Sequence, residues 1–276
     1  YANLARERLT AIGADNLAEP AYIGRLPRPT LPPQTWDPPG DNLRSRKAEL
    51  LANAALFDFA VKELQAATNG SPPWQAAAVA QMYGDAANYK LSIETLKRAV
   101  PGYFASDLGR LPRPVWEGLF PRPYWDDLKK YSELNQLDPY LVASLIRQES
   151  EFSPVAISRA NAMGLMQLLP RVGKGVAKEE KLHNFSTEQL LQPTVNMQLG
   201  TRFFKHMVDH YNGQVEYALA AYNAGEERVA EWRNAGSFQE IAEFVESIPF
   251  TETREYVQAI IRNAMVYRVL YPANSR

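Results

Sequence analysis

Glu149 is the residue whose type and setting could most directly do chemistry. Asp138-Pro139 reads as a helix start, with aspartate at the N-cap and proline at the first helical position. The segment then runs Tyr-Leu-Val-Ala-Ser-Leu-Ile-Arg-Gln-Glu, placing Leu141, Leu145 and Glu149 at i, i+4 and i+8. Glu149 therefore falls on the face expected to pack inward, near the helix C-terminus. Desolvation and the helix dipole both disfavour its anion there, which raises its pKa as a general acid near neutral pH requires. Glu151 lies about 200° further round the helix and Arg147 is also turned away, so neither shares its environment. On this helix alone, a structurally satisfied buried carboxylate fits better than a catalytic one.

Other chemistries are constrained by what the chain contains. There is no cysteine, which removes thiolate metal sites, a cysteine nucleophile and disulfides together. His206 and His210 have the spacing of a zinc helix, but no glutamate follows the first, so a surface or packed pair is expected and no metal. With 30 basic and 31 acidic residues, and a net charge of −1, the chain has no electrostatic footprint for nucleic acid or an anionic membrane. No apolar stretch approaches the ~20 residues of a membrane span. The chain opens at Tyr1, as a processed product would, so a missing signal peptide says nothing about export.

The segment after Glu149 changes its standing. Glu149-Ser150 with Phe152 close behind, Gly164-Leu165-Met166-Gln167, Ala221-Tyr222-Asn223-Ala224-Gly225, and the run Ile248 to Val257 occur in that order within about 110 residues. Together they resemble the catalytic core of the soluble lytic transglycosylases, relatives of goose-type lysozyme, over roughly 115–271. The resemblance implies that Glu149 acts first as acid and then as base on the β-1,4 bond between N-acetylmuramic acid and N-acetylglucosamine. The products would be 1,6-anhydromuramic ends, with no water entering and no cofactor. It also implies substrate contacts at Ser158, Gln167, Tyr222 and Glu252, with peptidoglycan glycan strands as partner and the periplasm as setting.

Physical chemistry supplies tasks for these positions. Gly164 allows a close approach of backbone or substrate. Gln167 can donate and accept toward a sugar hydroxyl or acetamido group. Tyr222 offers a ring for a sugar face and a hydroxyl able to bond near Glu149. Asn223 and Gly225 suit a helix end, Arg254 a structural role, and Met163 and Met166 packing. Arg171-Val172-Gly173 and Leu169 depart from the family pattern, which bears on cleft shape. A hydrolase of the goose-type lysozyme kind would need a second carboxylate, for which Glu252 and Glu226 are available. A non-catalytic wall-binding scaffold would have no need of Glu149, Gln167 and Tyr222 together.

The elements that must position these residues read as all-α. Helices are expected near 124–136, 139–150, 162–178, 187–191, 194–211, 214–223, 226–235, 238–246 and 252–270. Upstream, 44–68 reads as one helix, and a second stretch to about Val100 is interrupted near Gly84, giving a helical hairpin like those of a superhelix. Prolines crowd 20–39 and 112–123, and Gly-Arg-Leu-Pro-Arg-Pro occurs at both 24–29 and 109–114, read as extended connectors. The expected division is a proline-rich arm with helical hairpins over 1–114, then a lysozyme-like catalytic domain over 115–276.

Overall fold

The helix that carries Glu149 lies inside the protein rather than on it. The computed structural model describes residues 36–70, 72–105 and 108–272. The prolines before residue 36 and the first copy of the repeated hexamer lie outside them. Trp36–Arg276 clusters as one compact unit, and its described residues are all-α. The α-helices run, in order, α1 (Leu43–Asn53), α2 (Phe57–Gln65), α3 (Pro73–Asp85), α4 (Tyr89–Ala99), α5 (Arg113–Leu119), α6 (Trp125–Leu134), α7 (Pro139–Ser150), α8 (Pro170–Glu179), α9 (Pro193–His210), α10 (Val215–Ala224), α11 (Glu226–Asn234), α12 (Ile241–Ser247) and α13 (Thr251–Leu270).

α7 starts as its sequence requires. The Asp138 side chain accepts from the Tyr140 N–H at 2.9 Å, and the next residue is proline. Seven consecutive residues, Leu141 to Arg147, are buried, so the helix is enclosed on all sides instead of along one stripe. Its long neighbour α13 packs along it with Tyr256, Val257, Ile260 and Tyr267 turned inward. Tyr140 stacks on Trp125 and Tyr267, and its hydroxyl donates to the Tyr271 carbonyl. Arg147 does turn away from Glu149, yet it is only 3% exposed. Its Nε donates to the Leu119 carbonyl at 2.8 Å, a terminal nitrogen donates to the Tyr103 hydroxyl at 3.2 Å, and the guanidinium lies over the Phe120 ring.

Four sequence expectations are corrected. The single helix over 44–68 is two, because Ala55 adopts φ +58° and Leu56 N–H bonds back to the Leu51 carbonyl. That is the hydrogen-bonding pattern of a helix end usually marked by glycine, and no glycine announces it here. The helix expected over 162–178 begins only at Pro170, because Gly164 and Gln167 take positive φ and proline holds Leu169 extended. Residues 187–191 form a 3-10 turn, Thr187–Leu191, closed by a Ser186/Gln189 capping box. The second hexamer copy is not wholly a connector, since Arg113 and Pro114 open α5, where proline is tolerated in the first turn. The division expected at 114/115 thus falls within α5, and one apolar cluster runs across it from Ala80 to Tyr271.

No helix among the described residues is long and apolar enough to cross a membrane. The turn at exposed Ala55 offers a test of the corrected boundary. Ala55→Gly relieves a left-handed backbone and should raise stability by up to about 1 kcal/mol, read as the urea midpoint. An unchanged or lower midpoint would contradict the break between α1 and α2.

Candidate active site

Glu149 occupies the last turn of α7, and the chain leaves it through two successive left-handed residues, Glu151 (φ +50°) and Phe152 (φ +62°). Neither is glycine, so each conformation costs about 1 kcal/mol that surrounding contacts must offset. Phe152 is 1% exposed in the core, and Glu151 is ion-paired with Lys97 of α4. The turn sends the chain into the loop 153–169, which returns past Glu149. Ser150 ties the two together, its Oγ donating to the Leu165 carbonyl at 2.8 Å.

Asn196, near the start of α9 and fully buried, holds the other side of that loop. Its Oδ1 accepts from the Met166 N–H at 2.7 Å, and its Nδ2 donates to the carbonyls of Met163 (2.9 Å) and Leu190 (2.7 Å). Gly164 has φ +77°, and a Cβ there would run into the Leu190 carbonyl and the Asn196 side chain. The glycine is thus required by backbone and by Asn196, the close approach being internal to the protein. Met166 is buried in the main core and Met163 against Leu168 and Leu190, as packing residues.

The carboxyl of Glu149 meets two tyrosines. Tyr256 of α13 donates its hydroxyl hydrogen to Oε1, whereas Oε2 makes no hydrogen bond among the described residues. Tyr222 of α10 donates to the Met166 carbonyl at 2.6 Å and not to the carboxyl itself, yet stays near enough to Glu149 to feel its charge. Burial raises the Glu149 pKa to about 7, with the Tyr256 hydrogen bond pulling the other way. Burial, and then the charge of Glu149, push both tyrosines well above the usual phenol range. They therefore remain hydrogen-bond donors while the carboxyl titrates.

The remaining expected residues are placed less closely. Gln167 (φ +48°) is half-buried and spends its amide nitrogen on the carbonyls of Ala156 (3.1 Å) and Gly164 (2.9 Å). Ser158 is exposed, and its Oγ accepts from the Ala162 N–H at 3.0 Å. Glu252 is exposed in the first turn of α13, with no bond to Glu149. Its neighbour Thr253 is buried and donates to Asn223 Oδ1 at 2.7 Å, joining α13 to the end of α10. Gly225 (φ +93°) ends α10, and Arg254 donates to the Ile248 carbonyl at 3.0 Å, both structural as expected. Sequence reasoning missed Tyr256 and Asn196 as site-forming residues. The available signal was a polar group on an otherwise apolar helical stripe: Tyr256 with Val257 and Ile260, Asn196 with Met197 and Gly200.

The all-α fold thus withdraws one carboxyl from water at a helix end and offers it a phenol. Residues 127–245 match the family model described as Transglycosylase SLT domain. The putative soluble lytic murein transglycosylase of Haemophilus influenzae is 41% identical over 128 residues, which is 46% of this chain and 22% of that protein. The 70 kDa soluble lytic transglycosylase of Escherichia coli superposes with a TM-score of 0.68 at 26% identity, covering 87% of this chain and 38% of that one. An inactive glutamate-to-glutamine mutant of the lytic transglycosylase Slt from Pseudomonas aeruginosa gives 0.66 at 28% identity, covering 82% and 35%. The chain is thus similar to the soluble lytic transglycosylases over the matched part, and spans well under half the length of these relatives.

Two stability measurements test this geometry. The folded carboxyl holds its proton to about pH 7 against 4.5 when free, so the stability linked to its protonation is full below pH 4.5 and lost as pH rises through 7. Glu149→Gln should then match the wild type near pH 4 and exceed it above pH 7, by about 3 kcal/mol at most. A pH-independent difference would contradict the buried site. Asn196→Ala strands one N–H and two carbonyls, and should cost at least about 3 kcal/mol in urea unfolding.

Proposed function

We propose that Glu149 cleaves the β-1,4 bond between N-acetylmuramic acid and N-acetylglucosamine in peptidoglycan without water. The protonated carboxyl gives its proton to the glycosidic oxygen as the bond breaks. The resulting carboxylate then takes the proton of the muramic C6 hydroxyl, which attacks C1 of the same sugar and closes a 1,6-anhydro ring. The intramolecular nucleophile supplies its own effective concentration, and no cofactor is needed. The observation that carries this reading is the single carboxyl raised to about 7 beside the Tyr256 donor. Its nearest acidic neighbour in sequence, Glu151, is bound to Lys97. Glu252 and Glu226 are both exposed, and neither is joined to Glu149, so a water-holding second carboxylate lacks support.

Tyr256 stabilises the carboxylate that forms after proton donation, by a hydrogen bond already in place. Gln167 retains its carbonyl oxygen for a sugar hydroxyl or acetamido N–H, whereas the bonded hydroxyl of Tyr222 leaves its ring for substrate contact. Ser158 and Glu252 are assigned to the outer rim of the glycan path. Residues 1–114 are read as the arm, and 115–276 as the catalytic domain. The substrate places the reaction on the cell-wall side of the membrane, in the periplasm.

Glu149→Gln should lower turnover of purified sacculi by at least about 10³-fold. Wild-type products should be one water lighter than hydrolysed muropeptides by mass spectrometry, and hydrolysed ends would sink the mechanism. Rate should be sustained below about pH 7, where the acid is protonated, and fall above it. Tyr256→Phe removes the bond that lowers the Glu149 pKa, so the alkaline limb should move upward while kcat drops roughly 10-fold. A limb that moves downward or stays in place would remove Tyr256 from this role.

A further inference from the structure

Glu149 lies between two charged residues, and both are gripped by chain that precedes the matched domain at 127–245. Two positions before it, Arg147 bonds the Leu119 carbonyl and the Tyr103 hydroxyl and covers Phe120. Two positions after it, Glu151 is ion-paired with Lys97, and the Glu151 side chain is only 16% exposed. Glu151 also occupies the first of the two left-handed positions that end α7. A salt bridge there holds a backbone conformation that glutamate does not favour.

We propose that Lys97 is a positioning residue for Glu149, which it serves through Glu151, with Tyr103 and the Leu119 carbonyl fixing the preceding turn on the same side of the helix through Arg147. The proposal rests on Glu149 being the acid described above. Its influence is mechanical. The Glu149 carboxyl is bonded by Tyr256 from α13 and lies close to Tyr222 from α10, whereas the ammonium of Lys97 is bonded to Glu151. What the pair controls is where the last turn of α7 ends, and hence how deeply the carboxyl is kept from water. A misplacement of about 1 Å in a reacting group can cost 10²-fold in rate, so a bridge at this turn reaches the chemistry without touching substrate. The hairpin helices then complete the site as well as flanking it.

The test uses the full chain and soluble uncrosslinked glycan strands. Lys97→Ala should lower kcat roughly 10-fold with KM within about 2-fold, and shift the alkaline limb toward acid as the carboxyl gains water. Tyr103→Phe should act in the same direction and more weakly. The exchange Lys97→Glu with Glu151→Lys should recover most of the rate lost by Lys97→Glu alone. Independently of turnover, the pH-dependent stability gap opened by Glu149→Gln should shrink in the Lys97→Ala background. Unchanged kcat, pH limb and stability gap in Lys97→Ala overturn the proposal, as does a loss that only follows the folded fraction. A wild type that makes no anhydro product overturns the mechanism instead, and the stability gap still decides the role of Lys97.

Discussion

Everything in the site follows from placing one carboxyl where water is scarce. Burial favours its protonated form and a single phenol opposes that preference, leaving a pKa of about 7. For the proton transfer proposed above, either influence alone would give a poorer acid. Without the tyrosine the proton would be held more tightly, and in open water it would be gone well before neutrality. The protein reaches the balance by enclosing α7 on all sides and running α13 beside it, so that a tyrosine on one long helix meets a glutamate at the end of the other. Tyr222 and Tyr256 keep their protons because burial and the neighbouring carboxylate both resist a second negative charge. Among the described residues the site therefore combines one titrating carboxyl with two tyrosines that stay protonated.

The loop that faces this carboxyl is held mainly through its backbone. Ser150 takes the Leu165 carbonyl, Tyr222 the Met166 carbonyl, and Asn196 the Met166 N–H and the Met163 carbonyl. Polar backbone groups in a buried irregular segment must find partners, and here three side chains from three helices supply them. Gly164 is the steric counterpart, because only hydrogen fits between the Leu190 carbonyl and Asn196. The run Gly164 to Gln167 is thus a folding constraint first. Only Gln167, with a free carbonyl oxygen, is left to speak to a ligand.

Much of this was legible in the residues. Helical periodicity and the Asp138-Pro139 start located α7, and Leu141, Leu145 and Glu149 gave the correct inward face and the direction of the pKa shift. Breaks made by backbone hydrogen bonding were not legible: nothing about Ala54-Ala55-Leu56 advertises a left-handed turn. The loop 162–169 reads as helix because Ala, Met, Leu and Gln are good helix formers, and tertiary bonds to Asn196 override that propensity. Tyr256 lies within the run Ile248 to Val257, but periodicity tells which side of a helix is buried and cannot tell which buried group faces a carboxyl. Arg147 is turned away as helix geometry predicts, but a charged residue gives no hint that it will be only 3% exposed.

The boundaries of the recognisable domain and of the working site do not coincide. The family match spans 127–245, whereas the phenol on Glu149 comes from residue 256 and the partners of Arg147 and Glu151 come from residues 97–119. A sequence model detects positions whose residue types recur. A ridge of apolar helix, a carbonyl such as that of Leu119, or one lysine in a hairpin can be supplied in many sequence forms, and leaves a fainter trace. The physical requirement is nonetheless specific. An enclosed helix needs walls on every side, and the last turn of α7 needs a reason to end where it does. Those walls are α13 on one side and the α4–α5 segment on the other, so the enclosure of α7 draws on chain outside the family match at both of its ends.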